Sequence, residues 1–421
     1  MRVLTQTACL LTLLSFGISG CESADQQNDV TDGGIESPDG TPESADGGNE
    51  MNDGGDDVVD NDLYADWFAG YNEGQDTTYL DNGGTIYDDG DTNRYPAAPS
   101  HTFIEGAAYG PFSRNVLDIY LPNDVSGPTP VAVYIHGGGF SSGDKTKIHQ
   151  GKGDIAAYLA DGIAVASISY RYGASHSAAA QTAIIPNGEC DGSDGGCRKD
   201  YVFRDGARAI QYIRYRAEDW NIDPSKIATW GSSAGGQIVM WIATTPNLAV
   251  ADHPDPVLRE DSRVQVVGHM TSQVSALNSH WPDLLNFSDM FWQAIGWSDE
   301  SYDKMLQGSL SDIKNTIEGQ KLLQVIDYYG AISEASPPIM AACSVNDHSE
   351  EMMLNPDNAD DLQSNLVHHP SHSVAIYERC LMVQESCEIA TKILKIGGYV
   401  DSRKNHDENM QAFITGRLGE L

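Results

Sequence analysis

Positive charge is scarce in this chain. Twenty-five Lys and Arg stand against 61 Asp and Glu over 421 residues, a formal net charge of −36, which argues against nucleic acid or an anionic lipid surface as a partner. The deficit is deepest at the start, where residues 1 to 100 carry two basic side chains, Arg2 and Arg94, and 21 acidic ones. Long apolar runs are missing as well. No stretch reaches the roughly 18 apolar residues that span a bilayer, so no transmembrane helix is expected. Cysteine is sparse, seven in all, and no pair has the C-x-x-C spacing of a structural zinc site.

What the N-terminus does contain is an address and a spacer. Arg2, an apolar run from Ala8 to Ile18 and the small residues before Cys21 read as a signal peptide over residues 1–21. Ile18-Ser19-Gly20-Cys21 resembles the bacterial lipoprotein signal, whose cysteine becomes the lipidated N-terminus. The expected location is therefore the bacterial cell envelope or surface, lipid-anchored, with plain secretion as the alternative. Residues 22–62 are rich in Asp, Glu, Gly, Ser and Asn and hold no Lys or Arg; they bury too little apolar surface to fold and read as a disordered, acidic tether. Residues 63–100 form an N-terminal arm in which aromatic side chains first appear. Asp89-Gly90-Asp91-Thr92-Asn93 alternates oxygen ligands, but Arg94 stands where a calcium loop needs Gly.

From residue 101 to the C-terminus the pattern alternates. Strand-like runs at His101 to Ala108 and Val116 to Leu121 read as an antiparallel start. Val131 to Ile135, Ile163 to Ser169, Lys226 to Thr229, Val264 to His269 and Ile339 to Val345 follow, with helical stretches at Ile148 to Ala160 and Tyr201 to Glu218. That alternation implies an α/β fold with a mostly parallel central sheet and helices on both faces. It breaks over about residues 274–335, where Trp281, Phe287, Phe291, Trp292 and Trp297 gather.

Two glycine-rich strings carry chemistry. Gly231-Ser232-Ser233-Ala234-Gly235 follows an apolar run and leads into a helical stretch, so Ser233 sits on a strand-to-helix corner where a neighbour's Cβ would obstruct the chain. His136-Gly137-Gly138-Gly139 follows the run Val131 to Ile135; glycines there let backbone N–H groups face open space, as an oxyanion requires. Both strings in this order resemble the α/β-hydrolase fold, and within it the hormone-sensitive-lipase-like carboxylesterases. Tyr170-Arg171, Asp205, Ala209, Asn221-Ile222-Asp223-Pro224 and Ser336-Pro337-Pro338 extend the likeness. Ser232 departs from it, since many relatives carry Asp there.

The resemblance implies a serine carboxylesterase working through an acyl-enzyme, with residues 101–421 as the catalytic domain and residues 274–335 as a small cap-like insertion. The N–H groups of Gly138, Gly139 and Ala234 would form the oxyanion hole. In this fold the triad runs Ser, acid, His along the chain. Asp347 is the expected acid because it follows the buried strand that starts at Ile339. His406, in the loop before the last helix, is the expected base, and the group His368, His369 and His372 is the alternative. Substrates would be small to medium acyl esters, free or linked to polysaccharide as acetyl or feruloyl groups. A binding protein that kept the fold and lost the chemistry is the contrasting reading. The chemistry asks for no cofactor and no metal.

The cysteines leave pairings open. A disulfide between Cys190 and Cys197 would close the loop between them. Cys380 and Cys387 would lie roughly 10 Å apart on a continuous helix, beyond disulfide reach, so they pair only if the helix is interrupted. Cys343 reads as a buried thiol.

Overall fold

Thr129–Ile135 (β4) is the centre of the sheet, buried along nearly its whole length. Its apolar residues alternate in what they meet: Val131, Val133 and Ile135 belong to one core, Ala132 and Tyr134 to the other. A strand covered on both faces reads as a continuous apolar run, which is why it stood out in the sequence. The structure is a computed structural model describing residues 63–64, 77–88, 98–150, 155–173, 197–297, 315–343, 349–355, 362–383, 387–390 and 406–421. The chain divides into two units, Met1–Gly55 and Asp56–Leu421. The signal peptide, the lipidation site Cys21 and the tether up to residue 62 lie outside the described residues.

Nine strands are present among the described residues, in the order β1-β2-β3-β5-β4-β6-β7-β8-β9. They are β1 (Thr85–Tyr87), β2 (His101–Ala108), β3 (Val116–Pro122), β4, β5 (Ala164–Ile168), β6 (Ile222–Ser232), β7 (Val266–Met270), β8 (Ile339–Ala342) and β9 (Glu388–Ala390). The pairs β1·β2, β2·β3 and β3·β5 are antiparallel. From β5 through β4, β6, β7 and β8 to β9 every pair is parallel. Parallel pairing brings the C-terminal ends of β4 and β6 to one edge, with Ile135 opposite Gly231.

Helices α1 (Ile155–Ala160), α2 (Lys199–Tyr215), α3 (Ala234–Thr244), α4 (Trp281–Leu284), α5 (Asp289–Ala294), α6 (Ile317–Ile326), α7 (Glu350–Leu354), α8 (Leu362–Val367), α9 (Ser371–Val383) and α10 (His406–Glu420) follow in chain order. Residues of α2 and α3 fill the core on one face; Tyr158 of α1 and Met410, Phe413 and Ile414 of α10 fill it on the other. The helix expected over Ile148 to Ala160 is a 3-10 turn, Lys145–Gln150, and then α1. Residues 151–154, between the two, lie outside the described residues. Strands β1 and β9 were not expected.

Between β7 and β8 the expected insertion holds α4, α5 and α6, with residues 298–314 outside the described residues. Its aromatic rings pack on one another, Phe287 on Phe291 at 4.7 Å and Trp292 on Trp297 at 4.9 Å. They also pack on the histidines after α8: Trp281 lies 4.7 Å from the His372 ring and Phe287 4.9 Å from that of His369.

Cys380 and Cys387 form a disulfide with Cα atoms 6.1 Å apart. The helix condition is met because α9 stops at Val383. Cys197 is disulfide-bonded, while Cys190, its expected partner, lies outside the described residues. Cys343 is a buried thiol. No helix of the described residues is long and apolar enough to cross a membrane.

Candidate active site

Ser233 caps the N-terminus of α3 with φ 52° and ψ −123°. A non-glycine residue in that region is strained by about 1–3 kcal/mol and persists only where its surroundings hold it. Here they do. Its N–H lies 3.2 Å from the Met270 carbonyl and 3.1 Å from that of Thr271, and its own carbonyl accepts from Ser272 Oγ at 2.5 Å and Gly236 N–H at 2.8 Å. The corner is closed by glycine: a Cβ on Gly235 would collide with the carbonyl oxygen of Ile135 at the end of β4.

The same closeness joins the two glycine-rich strings. A Cβ built on Gly137 would stand 3.0 Å from Cβ of Ser233, so the loop after β4 borders the nucleophile. Gly138 (φ 135°), Gly139 (φ 59°) and Phe140 (φ 60°) all have positive φ. The Gly138 carbonyl accepts from the N–H groups of Ser141 and Ser142 at 3.1 Å each and from Ser142 Oγ at 3.0 Å. Among the described residues the N–H groups of Gly138, Gly139 and Ala234 donate to no protein acceptor, which leaves all three available to a developing oxyanion.

His136 anchors this loop. Its ring stacks on Tyr170 with centroids 4.2 Å apart, and Tyr170 Oη donates to the His136 carbonyl at 2.8 Å. Nδ1 donates to the Gly137 carbonyl at 2.8 Å. Burial, the largest influence, lowers the ring's pKa to about 4, so it is neutral at pH 7 and holds backbone. The neighbouring Arg171 is fully buried and paired to Asp205, with Nη2 to Oδ1 at 2.7 Å.

The base position is where the structure corrects the sequence. His368 Nε2 lies 2.9 Å from Ser233 Oγ, the place expected for His406. His406 instead begins α10, the helix that packs under the sheet. The chain crosses from β8 to the parallel strand β9 by way of α7, α8 and α9. His368 follows α8 directly, 21 positions after Asp347. Asp347 itself lies outside the described residues. Cys343, the residue after β8, donates from Sγ to the His368 carbonyl at 3.4 Å.

A serine hydroxyl within hydrogen-bond reach of an imidazole, on a strained strand-to-helix corner and beside a row of unused N–H donors, is equipped for acyl transfer. The BD-FAE family model matches residues 117–185 and 201–349, about half of the chain. The chain belongs to the BD-FAE family. Its fold is the α/β-hydrolase fold. The BD-FAE match takes in Gly138, Gly139, Ser233, Ala234 and Asp347 and ends before His368.

The chain is 28% identical to gut esterase 1 of Caenorhabditis elegans over 28% of its length and 18% of the relative's. It is 28% identical to bile salt-activated lipase of Bos taurus over 34% of its length and 24% of the relative's. This BD-FAE member thus spans about a fifth of the curated relatives it matches. Among solved structures, a truncated carbohydrate esterase from gut microbiota superposes with a TM-score of 0.49 at 18% identity, over 75% of this chain and 96% of that one.

The sequence named Ser233 from a local turn signal and His368 only within a group of three. Ser272 and Gln273, which grip the site from behind β7, carry no sequence signal.

Proposed function

We propose that this BD-FAE member is a serine carboxylesterase that hydrolyses small to medium acyl esters through an acyl-enzyme. The observation that carries the reading is the 2.9 Å approach of His368 Nε2 to Ser233 Oγ. Ser233 Oγ attacks the ester carbonyl carbon as His368 takes its proton, and the carbonyl oxygen, now negative, is met by the N–H groups of Gly138, Gly139 and Ala234. His368 then gives the proton to the departing alkoxide. Water, deprotonated by the same ring, attacks the acyl-enzyme and releases the acid. Asp347, five positions after β8 in the sequence, is the carboxylate that steadies the imidazolium. Removing an oxyanion donor in such sites costs about 10²–10³-fold in rate.

Hydrolysis of p-nitrophenyl acetate, butyrate and decanoate by residues 56–421 tests this. Activity that falls by at least about 10³-fold in both Ser233→Ala and Asp347→Asn is expected; full activity in Ser233→Ala would remove the reading. For the N-terminus we read Cys21 as a lipid anchor and residues 22–62 as the tether that holds the enzyme out from an envelope membrane. The reading rests on Ile18-Ser19-Gly20-Cys21 after an apolar run. Intact mass of the mature protein from a bacterial host should show acyl mass on Cys21 that Cys21→Ser lacks.

A further inference from the structure

The two partners of the site are separated by 135 positions in sequence, yet one short segment holds both. Met270 and Thr271 accept from the Ser233 N–H, and Ser272 Oγ donates to its carbonyl. The next two residues reach the other way. Gln273 Nε2 donates to the carbonyl of Val367 at 2.8 Å. Val274 N–H donates to His372 Nδ1 at 3.0 Å, and His372 Nε2 lies 3.0 Å from the Leu366 carbonyl. Since Nδ1 accepts, a neutral His372 must carry its proton on Nε2 and donate it to Leu366. The carbonyls gripped in this way belong to the two residues immediately before His368.

Gln273 is itself immobilised. Its carbonyl accepts from His269 Nε2 at 3.0 Å and from Tyr328 Oη at 2.8 Å. Its Oε1 accepts from Gln237 Nε2 at 2.5 Å, and Gln237 stands in the first turn of α3, four residues after Ser233. The path from the nucleophile through α3, Gln237, Gln273 and Val367 to His368 is therefore closed by one hydrogen bond between the two buried glutamine side chains and one from Gln273 to a backbone carbonyl. Gln237, Gln273 and His372 are each at most 5% exposed. Burial holds the His372 ring neutral, and the T-shaped contact with Trp281 fixes its plane.

We infer that Gln273 and His372 are positioning residues that set the distance between His368 and Ser233 by clamping the two carbonyls ahead of the base. The inference rests on the reading of His368 as that base. The side-chain hydrogen bonds of Gln273 and His372 go to Gln237, Val367, Val274 and Leu366 and not to Ser233 Oγ, so each acts through the placement of the imidazole. A displacement of about 1 Å in a reacting group can cost about 10²-fold in rate.

A double-mutant cycle separates positioning from bulk stability. Gln273→Met and His372→Gln are made in the parent and in His368→Ala, and kcat and KM for p-nitrophenyl acetate are measured below each variant's thermal midpoint. In the parent background each is expected to lower kcat about 10²-fold with KM within about twofold. In His368→Ala neither is expected to change the residual rate, because the group they position is gone. If Gln273→Met does not fold, Gln273→Glu, which keeps the volume and an oxygen toward Gln237, takes its place in the cycle. Parent-like kcat in the folded variants overturns the inference, and so does an equal loss in both backgrounds. Full activity in His368→Ala alone would instead show that the base assignment has failed, a result the cycle reads separately.

Discussion

Ser233 is placed by its backbone, and its side chain is left for chemistry. Five hydrogen bonds, to the end of β7 and the two residues after it and to the first turn of α3, hold the strained corner at φ 52°, and the glycines around it let strand β4 pass within contact distance. Gly235→Ala should therefore be costly although it adds one methyl group. Its Cβ would meet the Ile135 carbonyl, a backbone atom that cannot move aside cheaply, so a loss of about 1–3 kcal/mol is expected, seen as a lower thermal midpoint together with lost esterase activity. This corner was legible in the sequence because strand, turn and helix lie within about fifteen residues of one another. The base was not. His368, His369 and His372 share one short stretch, and which ring meets Ser233 depends on the turn between α8 and α9. His369 turns to Ser371 Oγ at 2.8 Å, and His372 turns inward to Val274 and Leu366.

At the scale of elements, the crossover from β8 to β9 is the part the sequence hid. A three-residue strand has too few positions to show a period, so β9 left no mark, and with it went the reason for placing the histidine before α9. The Cys380–Cys387 disulfide fastens the end of α9 to the start of β9. Closing a loop of this size is worth about 2 kcal/mol. Cys380→Ser with Cys387→Ser should lower stability by about that amount in denaturant unfolding, and kcat should fall further than for a substitution of equal cost elsewhere, since α9 follows His368. The N-terminal arm is tied in as well. Tyr79 Oη donates to Asp255 at 2.9 Å, and Asp255 pairs with the buried Arg208 of α2. Tyr79→Phe removes a hydrogen bond to a buried charge and should cost about 1–3 kcal/mol without changing KM. The aromatic side chains of the arm were visible in the sequence, but their partners are long-range and could not be read.

Among the described residues, burial holds three imidazoles, those of His136, His269 and His372, in the neutral form. Burial lowers His136 and His269 to about 4 and His372 well below its ordinary value. A folded-state pKa below the unfolded value of about 6.5 means that the unfolded chain binds more protons in between. Stability is then complete above about pH 6.5 and is lost as pH falls toward 4. Thermal midpoints taken from pH 7 to pH 4 should drop steadily as several kcal/mol of stability are lost, and His269→Gln should flatten part of that slope. The α/β layering was legible because the central parallel strands are buried on both faces and read as apolar runs. The antiparallel start was legible in β2 and β3, whereas the edge strand β1 and the crossover at the far side were settled by pairing across the molecule.

The most direct measurement is kcat/KM for p-nitrophenyl acetate of His368→Ala and His406→Ala, side by side. With His368 as the base, His368→Ala should fall by about 10³–10⁴-fold or more, and His406→Ala should stay within about twofold of the parent. Loss confined to His406→Ala, with His368→Ala active, would contradict the site as it is drawn.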